Sequence, residues 1–541
     1  MSFPLSIQAL VIEDQDESKE TYERIFAAIA AEQTLLAFRP APPLFAFSYD
    51  EAIQRLESSK MFHVVILDLR LPRSKRLPPP EGVELGVDLL KRAQERHSFP
   101  IPSLLIISGH IEKTEQDRVQ QAVTEGFHYG RMFAKGNLPL LEREMRHACA
   151  EAIRYCSVGI HIRDSFAEQY PTIAPDEDDL LRRCVLTTPG TVGLDLSWWS
   201  ADLHCVSPVT WTKVLVGRFL LSEGQGASRP QFFKLFPGGL AQHTYASAHQ
   251  FERKLSHIKV TATLSRPSRA LMVTEKVGAK LPRPVSLEEY LKAPQTVQSI
   301  KVIIEQIQGQ LDELGDTSSQ SLAVKGLLWK THDIERIRRQ WETNGGPALC
   351  DSGSPDPISI FAQLLANDGR VRFDEQSLVH GDLHLRNIAL DENVDGPEAY
   401  IFDSASSVGR HPKGRDLAML EVSAVIHQDL LPEYVTGILL PTLYGAAFVP
   451  QLPTFISPSH VANTALLVKS IRETVVKCGV DEDLYSLMVL DNAMIQLGGL
   501  EFGVSPNSVR YPQVIVHMVS AVSRWYQSLS RRAMGESMAA E

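Results

Sequence analysis

The sequence predicts two folded parts in series: an α/β unit on a doubly wound, five-stranded parallel sheet over residues 1–155, and an α+β unit of two lobes beyond it. Three observations lead there. In the first part, short apolar runs alternate with amphipathic stretches, the strand-then-helix pattern of a parallel sheet covered by helices. From Val209 to Val277, β-rich runs surround one helical stretch; from Leu287 onward helical periodicity dominates, apart from a strand-rich island between Ser377 and Asp403. A chain of 541 residues is also too long for one core and should divide into about three or four units.

The elements follow in order. Ala9-Leu10-Val11-Ile12 is the first strand and Glu20 to Ala31 a helix; Leu44-Phe45-Ala46-Phe47, then Tyr49 to Ser58, repeat the pattern. Val64-Val65-Ile66-Leu67, Leu104 to Ile107 and Met132-Phe133-Ala134 supply three more strands, interleaved with helices at Gly86 to Glu95 and Glu115 to Glu125 and closed by one from Leu138 to about Tyr155. The prolines of the insert between Arg73 and Pro80 cannot donate to a helix or ladder, so it reads as an exposed loop. Residues 156–208, broken by Pro171, Pro175 and Pro189 and carrying the acidic run Asp176 to Asp179, read as a connector. Residues 209–277 form a small lobe and 278–541 a helical large lobe.

Composition excludes several classes. With 44% hydrophobic and 22% charged residues the chain is a folding one. A net charge of -11 gives no diffuse attraction to nucleic acid or anionic lipid, and no recognition helix with a basic face follows the first unit. The six cysteines are scattered without a Cys-x-x-Cys pair, which fits a reducing cytoplasm. The N-terminus lacks the basic and apolar regions of a signal peptide. The uncharged stretch from Tyr434 to Val468 is interrupted by Pro441, Pro450, Pro453 and Pro458, so it reads as buried helices and a loop, not a membrane span. Trp198-Trp199 reads as core or interdomain packing.

Ligands of an open parallel sheet bind beyond the carboxyl ends of its strands. Glu13 and Asp14 follow the first strand, Asp68 the third, Ser108 the fourth and Lys135 the fifth. Three converging carboxylates repel one another, and a hard divalent cation such as Mg²⁺, with Glu13, Asp14 and Asp68 as ligands, is the simplest compensation. Asp68 is then placed to attack a phosphoryl group as a carboxylate nucleophile, with Lys135 a fixed positive partner and Ser108 a hydrogen-bonding group for the new phosphoryl oxygens. The strings Val-Ile-Glu13-Asp14, Ile-Leu-Asp68-Leu-Arg-Leu-Pro, Ile-Ser108-Gly and Ala-Lys135 resemble the receiver domain of two-component response regulators. The resemblance implies a flavodoxin-like fold, phosphorylation of Asp68 by a sensor histidine kinase and a homodimer through the receiver. Gly136 stands where receivers usually carry proline, and Met132 where an aromatic switch residue often sits.

A second constellation begins at Leu378-Val-His380-Gly-Asp382-Leu-His384-Leu-Arg-Asn387 and continues, after a turn at Asp391 to Gly396, to Ala399-Tyr-Ile-Phe-Asp403. Phosphoryl transfer to a hydroxyl needs a base to orient the acceptor and metal ligands to hold the triphosphate. Asp382 is the candidate base; Asn387 and Asp403 are candidate Mg²⁺ ligands. His380, Gly381, Asp382, His384 and Asn387, with the helix opening Arg415-Asp416-Leu417-Ala418, resemble the aminoglycoside phosphotransferase and choline kinase group. The resemblance implies a protein-kinase-like, two-lobed fold using ATP and Mg²⁺. It makes Lys234 the candidate anchor for the α- and β-phosphates, Glu252 its ion-pair partner, the loop around Gly224 and Gly226 the phosphate cover, and Thr274 to Val277, including Glu275, the hinge that meets adenine. The glycine loop is irregular, and Ser404-Ala405-Ser406 replaces a bulkier aromatic and acidic pair.

The expected whole is a receiver that controls an ATP-dependent phosphotransferase acting on an unidentified hydroxyl acceptor, small molecule or protein. The alternative is a pseudokinase scaffold that binds nucleotide or a partner without turnover.

Overall fold

The computed structural model describes residues 5–32, 38–58, 61–74, 83–94, 101–109, 113–163, 173–202, 212–222, 228, 230–255, 258–266, 268–276, 285–315, 317–328, 333–350, 356–393, 396–402, 411–426, 431–445, 447–454, 456–500 and 512–540. In the N-terminal unit five parallel strands stand in the order Leu44–Ala46, Ala9–Ile12, Val64–Asp68, Ser103–Ser108, Tyr129–Ala134. Ala9–Ile12, Val64–Asp68 and Ser103–Ser108 are buried throughout, because helices cover both faces of a doubly wound sheet. Alternate residues serve opposite cores. Leu10, Ile12, Val65, Leu67, Leu104 and Ile106 pack with Leu89, Leu90 and Val123 on one side; Val11, Val64, Ile66, Leu105 and Ile107 pack with Phe26, Met145 and Cys149 on the other. That period of two is the pleat read directly. Gly130 is required there, since a Cβ would lie 2.3 Å from the carbonyl oxygen of Val123.

The expected connector is part of the small lobe. Its sheet runs in the order Ile258–Ser265, Arg269–Lys276, Gln231–Pro237, Thr212–Leu221, Thr191–Asp202, Gly159–Arg163, antiparallel except for the last pair. Two of its strands and the helix Pro175–Thr187, here the bridging helix, thus come from residues 156–208. Asp176, Glu177 and Asp178 of the acidic run lie in the first turn of this helix, where carboxylates face a favourable dipole and Pro175 begins the turn at no hydrogen-bonding cost. Its acids are also paired with distant cations. Glu177 accepts from Lys213 Nζ at 2.5 Å and lies 3.2 Å from Arg269; Asp179 accepts from Arg266 Nε at 2.5 Å and from the Tyr155 hydroxyl at 2.8 Å. These partners lie on the closing helix of the first unit, on strands and at a strand turn, invisible to local sequence pattern.

In the large lobe one core gathers the helices Val297–Leu314, Pro357–Leu365, Arg415–Ile426, Ser459–Lys477, Glu482–Gly499 and Pro512–Ala540. The expected β-island is the hairpin Ile388–Asn393 with Gly396–Ile401. Its first strand extends through Asn393, three residues into the expected turn, and Gly396 takes φ +119°. Thr317–Ala323 and Arg370–Gln376 form a further strand pair that helical periodicity did not suggest. Thr317–Ala323 is polar and largely exposed, so no alternation marks it. No described helix is long and apolar enough to cross a membrane.

Two side chains give tests of this packing. His63 is buried, and its Nδ1 accepts from the Gln8 amide at 3.0 Å. Burial pulls the imidazole down to about 4 from an ordinary value of 6.5. The unfolded chain therefore takes up this proton below pH 6.5, whereas the fold resists until about pH 4. Stability contributed at neutral pH is lost as pH falls through that window, by on the order of 3 kcal/mol. Urea unfolding from pH 7 to pH 4 should show a steeper loss in the wild type than in His63→Gln; equal slopes would refute the assignment.

Arg472 and Glu421 form a fully buried ion pair, with Nη2–Oε1 at 2.6 Å. Arg472 also donates to the carbonyls of Leu443 and Phe448 and lies 4.0 Å from the Trp525 ring centroid. Arg472→Met strands the carboxylate and should cost about 3–5 kcal/mol in denaturant unfolding, while Arg472→Met combined with Glu421→Leu should cost less than either single change.

Candidate active site and phosphoacceptor cluster

At the carboxyl end of the first sheet, Lys135 Nζ lies 2.7 Å from Glu13 Oε1, 2.8 Å from Asp68 Oδ2 and 3.5 Å from Asp14 Oδ1. The Arg70 amide donates to the second Asp68 oxygen at 3.0 Å. One ligand atom from each of Glu13, Asp14 and Asp68 falls within 4.8 Å of the others, an all-oxygen donor set that suits Mg²⁺. Burial, then a hydrogen bond with Asp14, pushes the Glu13 carboxyl up to about 7 against the pull of Lys135. Burial likewise raises Asp68. The Lys135 ammonium is disfavoured by burial, but its bonds to Asp68 and Glu13 outweigh that and hold it charged. Ser108 ends its strand with a buried hydroxyl that finds no hydrogen-bond partner among the described residues, an arrangement that favours an incoming oxygen-rich group. All five expected residues therefore meet. Tyr22, which sequence pattern did not single out, adds a hydroxyl 3.5 Å from Glu13 Oε2. Gly136 takes φ +100°, outside the reach of the proline usual there, and Met132 packs into one of the sheet's cores.

The second site is built on a loop that one buried carboxylate fixes. Asp416, in the first turn of Arg415–Ile426, accepts from the backbone amides of His380 and Gly381, both at 2.8 Å. Gly381 takes φ +76°, which a side chain would strain. His380, fully buried, shares a hydrogen bond of 2.9 Å between Nε2 and the Phe402 carbonyl, while the Asp382 amide donates to its Nδ1 at 3.4 Å. Nε2 therefore carries the proton. Asn387 Nδ2 donates to the Asp382 carbonyl at 2.8 Å and stands 3.4 Å from Asp382 Oδ2. The Phe402 amide donates to the Asn387 carbonyl at 3.0 Å, which places the strand end before Asp403 against Asn387. Asp403 itself lies outside the described residues, as do Gly224, Gly226 and Val277.

The small lobe supplies one of its expected groups. Lys234 lies on Gln231–Pro237 opposite Val214 and Met272. By strand alternation it shares the face of Phe232, which packs with Phe402, and of Phe236, which packs with Ala241 and Ala248. The lysine thus stands on the cleft face. Glu252 does not join it: its carboxylate meets His249 Nδ1 at 2.9 Å, and Phe251 takes the inward position, edge-on to His380. Thr274 and Glu275 remain in the ladder, opposite Phe232 and Gln231, and Glu275 lies 3.8 Å from Lys259. Lys276 is in the ladder too, opposite Ile258, so each described residue of the expected hinge is strand.

Two contacts escaped sequence reasoning. Arg386 forms an ion pair with Glu288, and the Trp199 indole donates to the Arg386 carbonyl at 2.7 Å. The latter joins residues 187 apart, which no local signal announces.

No protein-family model matches the chain, and no curated protein matches it. Among solved structures, it is similar to a Ralstonia eutropha jmp134 protein provisionally assigned as an aminoglycoside phosphotransferase, with 13% identity over 65% of this chain and 96% of that one and a TM-score of 0.32. A yeast Spc42 trimeric coiled-coil fusion matches 28% of this chain and 80% of its own at 14% identity and a TM-score of 0.20. Neither likeness is high enough to carry an argument, which rests on the geometry above.

Asp416 gives the sharpest test of the loop. Asp416→Ala releases two buried amides together and should lower stability by about 2–5 kcal/mol, with fast hydrogen exchange at His380 and Gly381. Unchanged protection of those two amides would show that the loop holds itself.

Proposed function

We propose that the C-terminal unit is an ATP- and Mg²⁺-dependent phosphotransferase acting on a hydroxyl acceptor, and that the N-terminal unit is a receiver, phosphorylated on Asp68 by a sensor histidine kinase, that regulates it. The observation that carries the first half is the Asp382–Asn387 contact in a loop pinned by Asp416. Asp382, with its side chain about a third exposed, orients the acceptor hydroxyl and takes its proton. Asn387, buried, and Asp403 hold the metal, while Lys234 reaches the nucleotide phosphates from the opposite wall. When bound, Mg²⁺ draws charge from the transferring phosphoryl oxygens.

In the receiver, Asp68 offers the nucleophilic oxygen, Lys135 neutralises the growing charge beside it, and Ser108 waits with an unoccupied hydroxyl. Loading Asp68 changes which groups Lys135 and Ser108 contact. The closing helix Leu138–Ser157 carries such a change toward the small lobe, since Tyr155 is held by Asp179, and Arg182 donates to the carbonyls of Tyr155 and Val158 at 3.3 and 2.9 Å. These contacts give a local charge change at the sheet a packed path to the small lobe.

Slow ATP hydrolysis with Mg²⁺ tests both halves, measured for the wild type, Asp382→Ala, Asp403→Ala and Asp68→Asn, each with and without acetyl phosphate. Turnover should fall at least about 100-fold in the first two variants, and acetyl phosphate should alter the wild-type rate but not that of Asp68→Asn. Nucleotide binding without turnover would replace the enzyme reading by the scaffold reading.

A further inference from the structure

Trp199 lies in the small lobe, yet each polar or ring contact recorded for it reaches the cleft face or the phosphotransfer loop. In its strand, Thr191–Asp202, the register with Thr212–Leu221 shifts: Leu215 stands opposite Trp198 and Val214 opposite Ser200, which leaves Trp199 as the extra residue of a β-bulge. Bulges bend a strand and re-aim a side chain, and they gather beside active sites. Its neighbour Trp198 packs into the rear core with Leu194, Leu196 and Leu215. The Trp199 ring meets Phe232 edge-on at 5.0 Å and Phe402 at 5.5 Å, and those two stack at 4.2 Å. Its indole N–H donates to the Arg386 carbonyl at 2.7 Å.

These contacts converge on the residues flanking both expected metal ligands of the large lobe. Arg386 precedes Asn387, Phe402 precedes Asp403, and the Phe402 amide is itself bonded to the Asn387 carbonyl. We propose that Trp199 is a positioning residue: from the small lobe it holds the Arg386 backbone and the Phe402 ring, and so fixes Asn387 where it would serve as a metal ligand of the phosphotransfer loop. The proposal rests on the phosphotransferase reading for its functional meaning and on the hydrogen bond and bulge for its structural one. Plain interlobe packing would need the ring alone; the directed N–H is what positioning adds. An indole that bonds a main-chain carbonyl fixes the backbone of the loop, whatever side chain Arg386 carries.

The test is hydrogen–deuterium exchange on the full chain for the wild type, Trp199→Phe, Trp199→Tyr and Trp198→Phe. Trp199→Phe keeps an aromatic ring and removes the donor; Trp199→Tyr restores an O–H; Trp198→Phe controls for loosening of the small lobe from its rear core. Exchange over Leu383–Leu390 should rise roughly three- to tenfold in Trp199→Phe, less in Trp199→Tyr and not at all in Trp198→Phe. In parallel, the gain in ATP affinity on adding Mg²⁺ should shrink by a similar factor in Trp199→Phe, with the metal-free affinity unchanged. Wild-type exchange over that segment in both Trp199 variants, or equal acceleration in Trp199→Phe and Trp198→Phe, overturns the proposal. Should Trp199→Phe fail to fold, Trp199→Tyr against Trp198→Phe decides by the same segment. A wild type that binds no ATP ends the phosphotransferase reading separately, while the exchange comparison still settles whether Trp199 holds the loop.

Discussion

The C-terminal unit depends on one carboxylate accepting two main-chain amides. Without Asp416, the amides of His380 and Gly381 would be buried with nothing to bond, and a loop that must turn through φ +76° at Gly381 would have no reason to stay there. Burial pushes the Asp416 carboxyl up, while its two amide donors and the neighbouring Arg415 favour the charged form. Arg415 is anchored in turn by Asp491 at 2.8 Å and by the Leu327 carbonyl. The helix Arg415–Ile426 thus enters the site with Asp416 and Arg415 both held, and the placement of Asp382 and Asn387 follows from that rigidity.

The same economy of buried charge organises the junction of the two units. A helix that opens with Asp176, Glu177 and Asp178 in its first turn and continues to Asp179 would repel itself if left unpaired. It lies instead between the closing helix of the N-terminal unit and the rear of the small-lobe sheet, where Lys213, Arg266 and Arg269 meet Glu177 and Asp179. Removing one partner of such a pair strands an ion in a dry interior, so the joint resists sliding. It is specified by charge, whereas the cores on either side are specified by shape.

How far the sequence could be read follows from where each partner lies. Strands such as Val64–Asp68 were legible because a strand buried on both faces is an unbroken apolar run, and Glu13, Asp68, Ser108 and Lys135 were legible because strand ends are fixed once strands are. Asp382 and Asn387 share a ten-residue string. The bridging helix was read as part of a connector because prolines break the pattern around it, and the cations that pair with its acids sit tens of residues away on other elements. Glu252 was misplaced because helical spacing alone does not say whether position 251 or 252 faces the lobe, and Phe251, with more apolar surface to bury, takes that place. Trp199 was read as packing, and only the bulge and the Arg386 carbonyl reveal the direction of its N–H.

The two candidate sites hold their carboxylates in different ways. In the N-terminal cluster, three carboxylates share one cation, Lys135, among the described residues, so the cluster is short of positive charge. Any change of charge at Asp68 must therefore redistribute the contacts of Lys135, which begins the turn into the closing helix. That helix passes through Val158 directly into Gly159–Arg163, which pairs in parallel with the strand carrying Trp199, Arg163 standing opposite Ser197. In the loop of Asp382 and Asn387, by contrast, backbone amides and carbonyls do the holding, and their positions are fixed by Asp416 from one side and Trp199 from the other. A charge-poor site that must rearrange is thus connected, through one helix and two strands, to a backbone-held site that must not. Covalent continuity and strand register, more than long-range electrostatics screened within about 10 Å, join the two sites.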